Sequence, residues 1–78
     1  ALAKEVKAQA LTTPMEVVLY LERRFFEVPL QPRDREEMAA FLAEALGTTD
    51  VAAARSYAEE PLRRLLHAML SRPEYQLG

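Results

Sequence analysis

Hydrophobic residues recur every three or four positions along most of this chain, the spacing that is typical of amphipathic α-helices. The pattern predicts helices over about 14–27, 32–46, 50–58 and 61–71, with a possible short helix over 2–11. The chain contains no internal repeat and no low-complexity stretch. The sequence therefore predicts an all-α fold, a compact bundle of four main helices with a possible fifth at the N-terminus.

Capping and helix-breaking residues indicate where these helices begin and end. Thr13, followed by Pro14 and Glu16, has the sequence of a capping box, in which the Thr and Glu side chains bond the first free amides. Pro32 suits the first position of the next helix, and Gly47 suits a left-handed residue that closes it.

Two regions admit further interpretations. Pro61 either separates the third helix from the fourth or bends one continuous helix. The segment Ser71-Arg72-Pro73-Glu74 is a second cap-like sequence. It predicts a last turn over 73–76 that folds Tyr75 back onto the core.

The apolar faces of the four main helices predict the core. The helix over 14–27 carries the broadest face, because Val17 and Leu21 widen its stripe, and we expect it to be central. The predicted core residues are Val18, Leu19, Leu21, Phe25, Phe26, Met38, Phe41, Leu42, Leu46, Leu62, Leu65, Leu66 and Met69.

Composition and charge favour one folded, soluble domain over residues 1–78. Hydrophobic residues make up 50% of the chain and charged residues 28%, which argues against disorder. The formal net charge is −2, and the basic residues are mixed with acidic ones, so the one-sided basic surface of a general nucleic-acid binder is not expected. The lack of cysteine excludes disulfides and thiolate metal sites. No apolar run approaches the roughly 18 residues of a membrane-spanning helix.

Glu22 is the acidic residue whose position most needs an explanation. It lies on the apolar face near Val18 and Phe25, where loss of water would raise the pKa of the carboxylate unless a cation pairs with it. We expect a salt bridge to an arginine of another helix, such as Arg63 or Arg64. A tuned acid or base, or a contact to a missing partner, is the alternative.

The remaining candidate chemistry is sparse. His67, the only histidine, is expected to be exposed, and neither a carboxylate nor a second histidine lies three or four residues from it along the helix. Arginines cluster at Arg23-Arg24, Arg33/Arg35 and Arg63-Arg64, but glutamates nearby in sequence favour ion pairs over a phosphate site. We predict no catalytic residue, cofactor or metal site.

The stretch from Leu62 to Gln76 resembles the C-terminal end of a large uncharacterised bacterial protein family, whose members finish with a leucine-rich helix followed by Ser-(Ser)-Pro-Glu-Phe/Tyr-Gln. Residues 30–42 resemble the helix that precedes it there, and Arg72 stands in place of the usual second serine. The resemblance implies the helical C-terminal part of a longer, often exported protein without established enzymatic activity. In such a protein, residues 71–76 would be a structural terminator. A start at Ala1, without an initiator Met or a signal-peptide pattern, also favours a piece of a longer chain.

The sequence thus predicts a non-enzymatic helical module that docks through an apolar helix face, onto its own parent chain, another copy or another protein. The candidate interaction residues are Val17, Leu21, Val28, Glu22, Arg63 and Arg64. We expect the first three to form an exposed docking patch. Two alternatives stay open: arginine-mediated binding of a nucleic acid or anion, and an accessory fragment of an enzyme in which Glu22 and His67 line a shared cleft.

Overall fold

The computed structural model describes residues 1–72, and over this range the fold is the predicted all-α bundle. In chain order its elements are α1 (Leu2–Ala8), α2 (Pro14–Phe25), α3 (Pro32–Leu46), a 3-10 helix (Ala52–Tyr57) and α4 (Glu59–Leu70). Helix α3 packs against both α2 and α4, while α1 packs against α4 and the 3-10 helix. None of the helices over residues 1–72 has the length and apolar character needed to cross a bilayer.

The predicted ends of α2 and α3 are confirmed by their capping bonds. The Thr13 hydroxyl accepts a hydrogen bond from the Glu16 amide at 3.1 Å, and the Glu16 carboxylate accepts from the amides of Thr12 and Thr13 at 2.8 and 3.0 Å. The bonds from Thr12, and then those from Thr13, hold the pKa of Glu16 below its ordinary value. Pro32 is the first residue of α3, and Gly47 closes that helix at φ 75°.

The segment between α3 and α4 differs most from the prediction. The third helix, predicted over 50–58, is a 3-10 helix rather than an α-helix, the form that short connectors often take. Helix α4 begins at Glu59, so Pro61 lies inside its first turn. There the missing N–H of proline removes no intrahelical bond. The third and fourth helices are separate, as one of the two interpretations predicted, but the break is at Ala58 rather than at Pro61.

The core lies between α2, α3 and α4 and contains most of the predicted residues. The buried members of the predicted set are Val18, Leu21, Met38, Leu42, Leu46, Leu62, Leu65 and Met69. Further buried residues that the prediction left out come mainly from short or irregular segments. They are Val6, Val17, Leu30, Val51, Ala54 and Ala58.

The core prediction is wrong for two phenylalanines and only partly right for three other residues. Phe25 and Phe41 are exposed at 44% and 38%, while Phe26, Leu19 and Leu66 are only partly buried. Phe25 is the last residue of α2, at the end of the apolar stripe. Phe41 lies on the surface, where α3 and α4 meet, and is not packed in the interior of the bundle.

The carboxylate of Glu59, the first residue of α4, holds helix α1 in place. Glu59 accepts hydrogen bonds from the amides of Ala3 at 2.8 Å and Leu2 at 3.3 Å, so it satisfies two of the amides that a helix start leaves free. Arg63 donates to the same carboxylate at 2.8 Å. The Ala3 amide, and then Arg63, lower the pKa of Glu59.

Glu5 provides a second attachment, between α1 and α2. Its carboxylate accepts a hydrogen bond from the Tyr20 hydroxyl at 2.9 Å and lies 2.8 Å from the Arg24 guanidinium. The bond to the Glu5 carboxylate raises the pKa of Tyr20, because the carboxylate favours the protonated hydroxyl. Polar contacts therefore fix this short helix at its N-terminal end and at its centre.

Burial predicts a contrast between two leucines of α4. Leu65 is fully buried, whereas Leu70 is 48% exposed. Leu65→Ala should lower the free energy of unfolding by about 2–5 kcal/mol, and Leu70→Ala should change it by about 0.5 kcal/mol or less. Urea titration followed by circular dichroism measures both, and equal losses would show that α4 does not face the core as described.

The Glu59 cap predicts a pH dependence of stability. A carboxylate whose pKa is lowered on folding stabilises the fold above its unfolded pKa, about 4.3, and loses this contribution as the pH falls through the folded pKa. The stability difference between the wild type and Glu59→Gln should therefore be constant near neutral pH and shrink on acidification below about 4.3. The adjacent exposed Glu60→Gln is the control, and a pH-independent difference for Glu59 would contradict the capping role.

Candidate functional site

The predicted docking patch on α2 is not formed. Val17 and Leu21 have exposed fractions of 0% and 1%, so the prediction that they line an exposed surface is wrong. The broad apolar stripe of α2 is covered by the rest of the bundle, mainly by α3. Val28 alone of the three is exposed, at 60%, and it lies after the end of α2.

Glu22 makes the interhelical salt bridge that its position predicts, but with a different arginine. Its two carboxylate oxygens accept hydrogen bonds from Nε and Nη2 of Arg35 at 2.9 and 2.7 Å. The Glu22 side chain is 8% exposed and that of Arg35 is 28% exposed. Arg63 and Arg64 lie on α4, whereas the face of α2 that carries Glu22 meets the first turn of α3. The prediction that Arg63 or Arg64 is the partner of Glu22 is therefore wrong.

Glu22 and His67 line different surface grooves. Glu22 borders a groove of about 300 Å³ with Arg23 and Pro29, while His67, exposed as predicted, borders another between α3 and α4. The shared cleft that an enzyme fragment would need is not formed by these two residues. No group of three acidic or histidine side chains suited to a metal ion occurs among residues 1–72.

One surface groove, between α3 and α4, brings an exposed aromatic ring together with charged side chains. We call it the Phe41 groove. It has two parts, of about 480 and 390 Å³, and Phe41 and Arg64 line both of them. The lining residues are Phe41, Glu44 and Ala45 from α3, and Glu60, Arg63, Arg64, His67 and Ala68 from α4.

The charges of this groove differ in how far they are already neutralised. Arg63 is bound to Glu59, 2.8 Å away on the same helix. No ion pair in the part of the chain that the structure describes involves Arg64 or Glu44. The groove thus presents an exposed Phe41 together with a cation and a carboxylate that form no ion pair among residues 1–72.

The arginine clusters are partly used within the fold. Arg24, Arg35 and Arg63, one from each cluster, form salt bridges with glutamates at 2.7–2.8 Å. Arg24 also lies over the ring of Phe25, 5.2 Å from its centroid. Ion pairs are formed as expected, but only that of Arg63 uses a glutamate nearby in sequence, whereas Arg24 and Arg35 pair with glutamates of other helices.

Arg72 contributes a contact that the sequence pattern does not predict. Its guanidinium binds Asp34, and it lies 3.0 Å from Glu37, so it joins the end of α4 to the first turns of α3. These partners are distant in sequence, and helical periodicity carries no signal for such a pair. The last turn predicted over 73–76, with Tyr75, lies outside the described residues.

Comparison of the chain with protein-family models, curated proteins and solved structures yields no match. The resemblance of the stretch from Leu62 to Gln76 to a bacterial family therefore stays a prediction.

The geometry of the Glu22–Arg35 pair predicts unequal effects of removing its two partners. Arg35→Met leaves the more buried charge alone, and should lower the free energy of unfolding by about 2–4 kcal/mol. Glu22→Leu leaves Arg35 partial access to water and should cost less, about 1–2 kcal/mol. The double variant should be more stable than Arg35→Met alone.

Chemical denaturation of the three variants tests this order. Arg33→Met is the matched control, because Arg33 is exposed and forms no ion pair among residues 1–72. If Arg35→Met cost no more than Arg33→Met, the pair would not hold α2 against α3.

Proposed function

We propose that this chain is a non-enzymatic helical module that docks onto protein through the Phe41 groove. The observation that carries the proposal is the 38% exposed Phe41, which lines the groove together with Arg64 and Glu44. Aromatic rings and arginines contribute most of the binding energy at protein interfaces, and they do so near the centre of the contact. The groove places both residue types side by side.

Among residues 1–72, the other exposed aromatic rings have local contacts that Phe41 lacks. The Tyr57 hydroxyl donates a hydrogen bond to the Leu46 carbonyl at 2.7 Å, which ties the 3-10 helix to the end of α3. Phe25 lies under the guanidinium of Arg24, where a cation–π contact stabilises it. Phe41 is the exposed aromatic ring with unpaired charges beside it, which supports docking at this position in preference to Val28.

Arginine-mediated anion binding has one observation in its favour. Arg23, Arg24, Tyr20 and Gln9 line a groove of about 380 Å³. However, Glu5 already neutralises Arg24, and both arginines lie in the last turn of α2, where the helix dipole disfavours anions. Retention on heparin that falls steeply with salt would support this alternative.

Site-specific photo-crosslinking tests the docking proposal. A photoreactive phenylalanine analogue replaces Phe41 in the full chain, and in a second sample it replaces Phe25, which is similarly exposed. Position 41 should give protein adducts at least about threefold more efficiently, because a bound partner excludes water around a central anchor residue. Mass spectrometry should map the adducts from position 41 to one defined segment of the crosslinked protein.

Arg64→Glu, introduced together with the analogue at position 41, should reduce these adducts if Arg64 belongs to the same surface. Equal crosslinking from positions 41 and 25, or none from either, would contradict docking at the groove.

A further inference from the structure

We infer that the occupant of the Phe41 groove is a second copy of this chain, bound about a two-fold axis that runs along the groove. This inference rests on the proposed function and goes further, because it names the partner and the geometry. It is argued from the distribution of charge on the two walls of the groove.

The two walls of the groove run antiparallel, and one part of the groove brings Glu44 of α3 together with Arg64 of α4. Arg72, which follows α4, reaches Asp34 and Glu37 near the start of α3, while Arg64 lies beside Glu44 farther along α3. The charged residue that α3 contributes to the groove is Glu44. The charged residues of the α4 wall are Arg63, Arg64 and His67, with Glu60 at its N-terminal end.

A two-fold axis along the groove makes these walls complementary. The rotation places α3 of one copy opposite α4 of the other, so that Glu44 of each copy faces Arg64 of its partner. An axis across the groove would instead place α3 on α3 and α4 on α4, with like charges opposed. Closed two-fold contacts are the commonest form of self-association, and opposed like charges are costly.

Phe41 occupies the centre of this arrangement. It lines both parts of the groove, so it lies close to an axis that runs along the groove. The two copies of the ring would then meet across the axis, and aromatic pairs contribute beyond the area that they bury. Ala45 and Ala68, which are small and partly buried, leave space for the incoming ring.

The length of the helices limits the affinity. Helix α3 has 15 residues and α4 has 12, so their common face is roughly 18 Å long and 20 Å wide, or about 360 Å² per copy. This area is less than half of the ~800 Å² that a standard interface buries on each side. We expect a reversible dimer with a dissociation constant on the order of tens of micromolar.

Sedimentation equilibrium of the full chain at concentrations from roughly 5 µM to 500 µM tests the dimer. Wild type should shift from monomer to dimer over this range. Phe41→Ser should weaken association at least about tenfold, whereas the control Phe25→Ser should leave it unchanged. Circular dichroism checks that both variants are folded, and a folded wild type that stays monomeric throughout would overturn the inference.

A charge-exchange experiment tests the axis. Glu44→Arg gives both walls a cation, and Arg64→Glu gives both walls a carboxylate, so each variant alone should be monomeric. An equimolar mixture of the two should associate as well as wild type, because each arginine then faces a glutamate. The double variant Glu44→Arg/Arg64→Glu should also associate. Failure of either the mixture or the double variant to associate, with the variants folded, would overturn this geometry.

The outcomes separate this inference from the proposed function. Crosslinks at position 41 that map to this chain and appear with dimer formation support both. Crosslinks that map to another protein, with a wild type that stays monomeric, overturn the dimer and leave docking supported. Absence of both crosslinks and dimer overturns both.

Discussion

The first turns of α3 hold the three longer helices in register. Arg35 binds Glu22 of α2 through two hydrogen bonds, while Asp34 and Glu37 bind Arg72 beyond the end of α4. Burial of apolar surface drives the helices together but has no direction, so it does not by itself fix how far one helix slides along another. Paired charges in fixed geometry supply that specificity, because a shift by one turn would leave the largely buried Glu22 without a cation.

These ion pairs engage charged side chains near the N-terminal end of α3. The charge near its C-terminal end is left without an ion pair among residues 1–72. The ion pairs among residues 1–72 engage the middle of α1, the last two turns of α2, the first turns of α3, the start of α4 and Arg72 beyond its end. Glu44 and Arg64, which line the groove with Phe41, are left out of them. The surface proposed for docking is therefore one where the internal charge pairing stops.

The features that sequence predicts correctly here are those decided by a few neighbouring residues. The capping bonds of Thr13, the proline at the start of α3 and the left-handed Gly47 each follow from the chemistry of one turn of backbone. The exposure of Phe41 does not, because periodicity identifies an apolar stripe without showing which neighbour covers it. The partner of Glu22 follows the same rule: a carboxylate on an apolar face predicts a cation, but only the packing of α2 on α3 selects Arg35.

The exposed seam also follows from the size of the elements. Helix α1 has 7 residues and the 3-10 helix has 6, so neither is long enough to cover the joint face of α3 and α4. Moreover, α1 is tied through Glu59 to the N-terminal end of α4, away from His67 and Ala68. Two α3–α4 pairs packed about a two-fold axis would form four antiparallel helices, and each copy would then supply the layer that the other lacks.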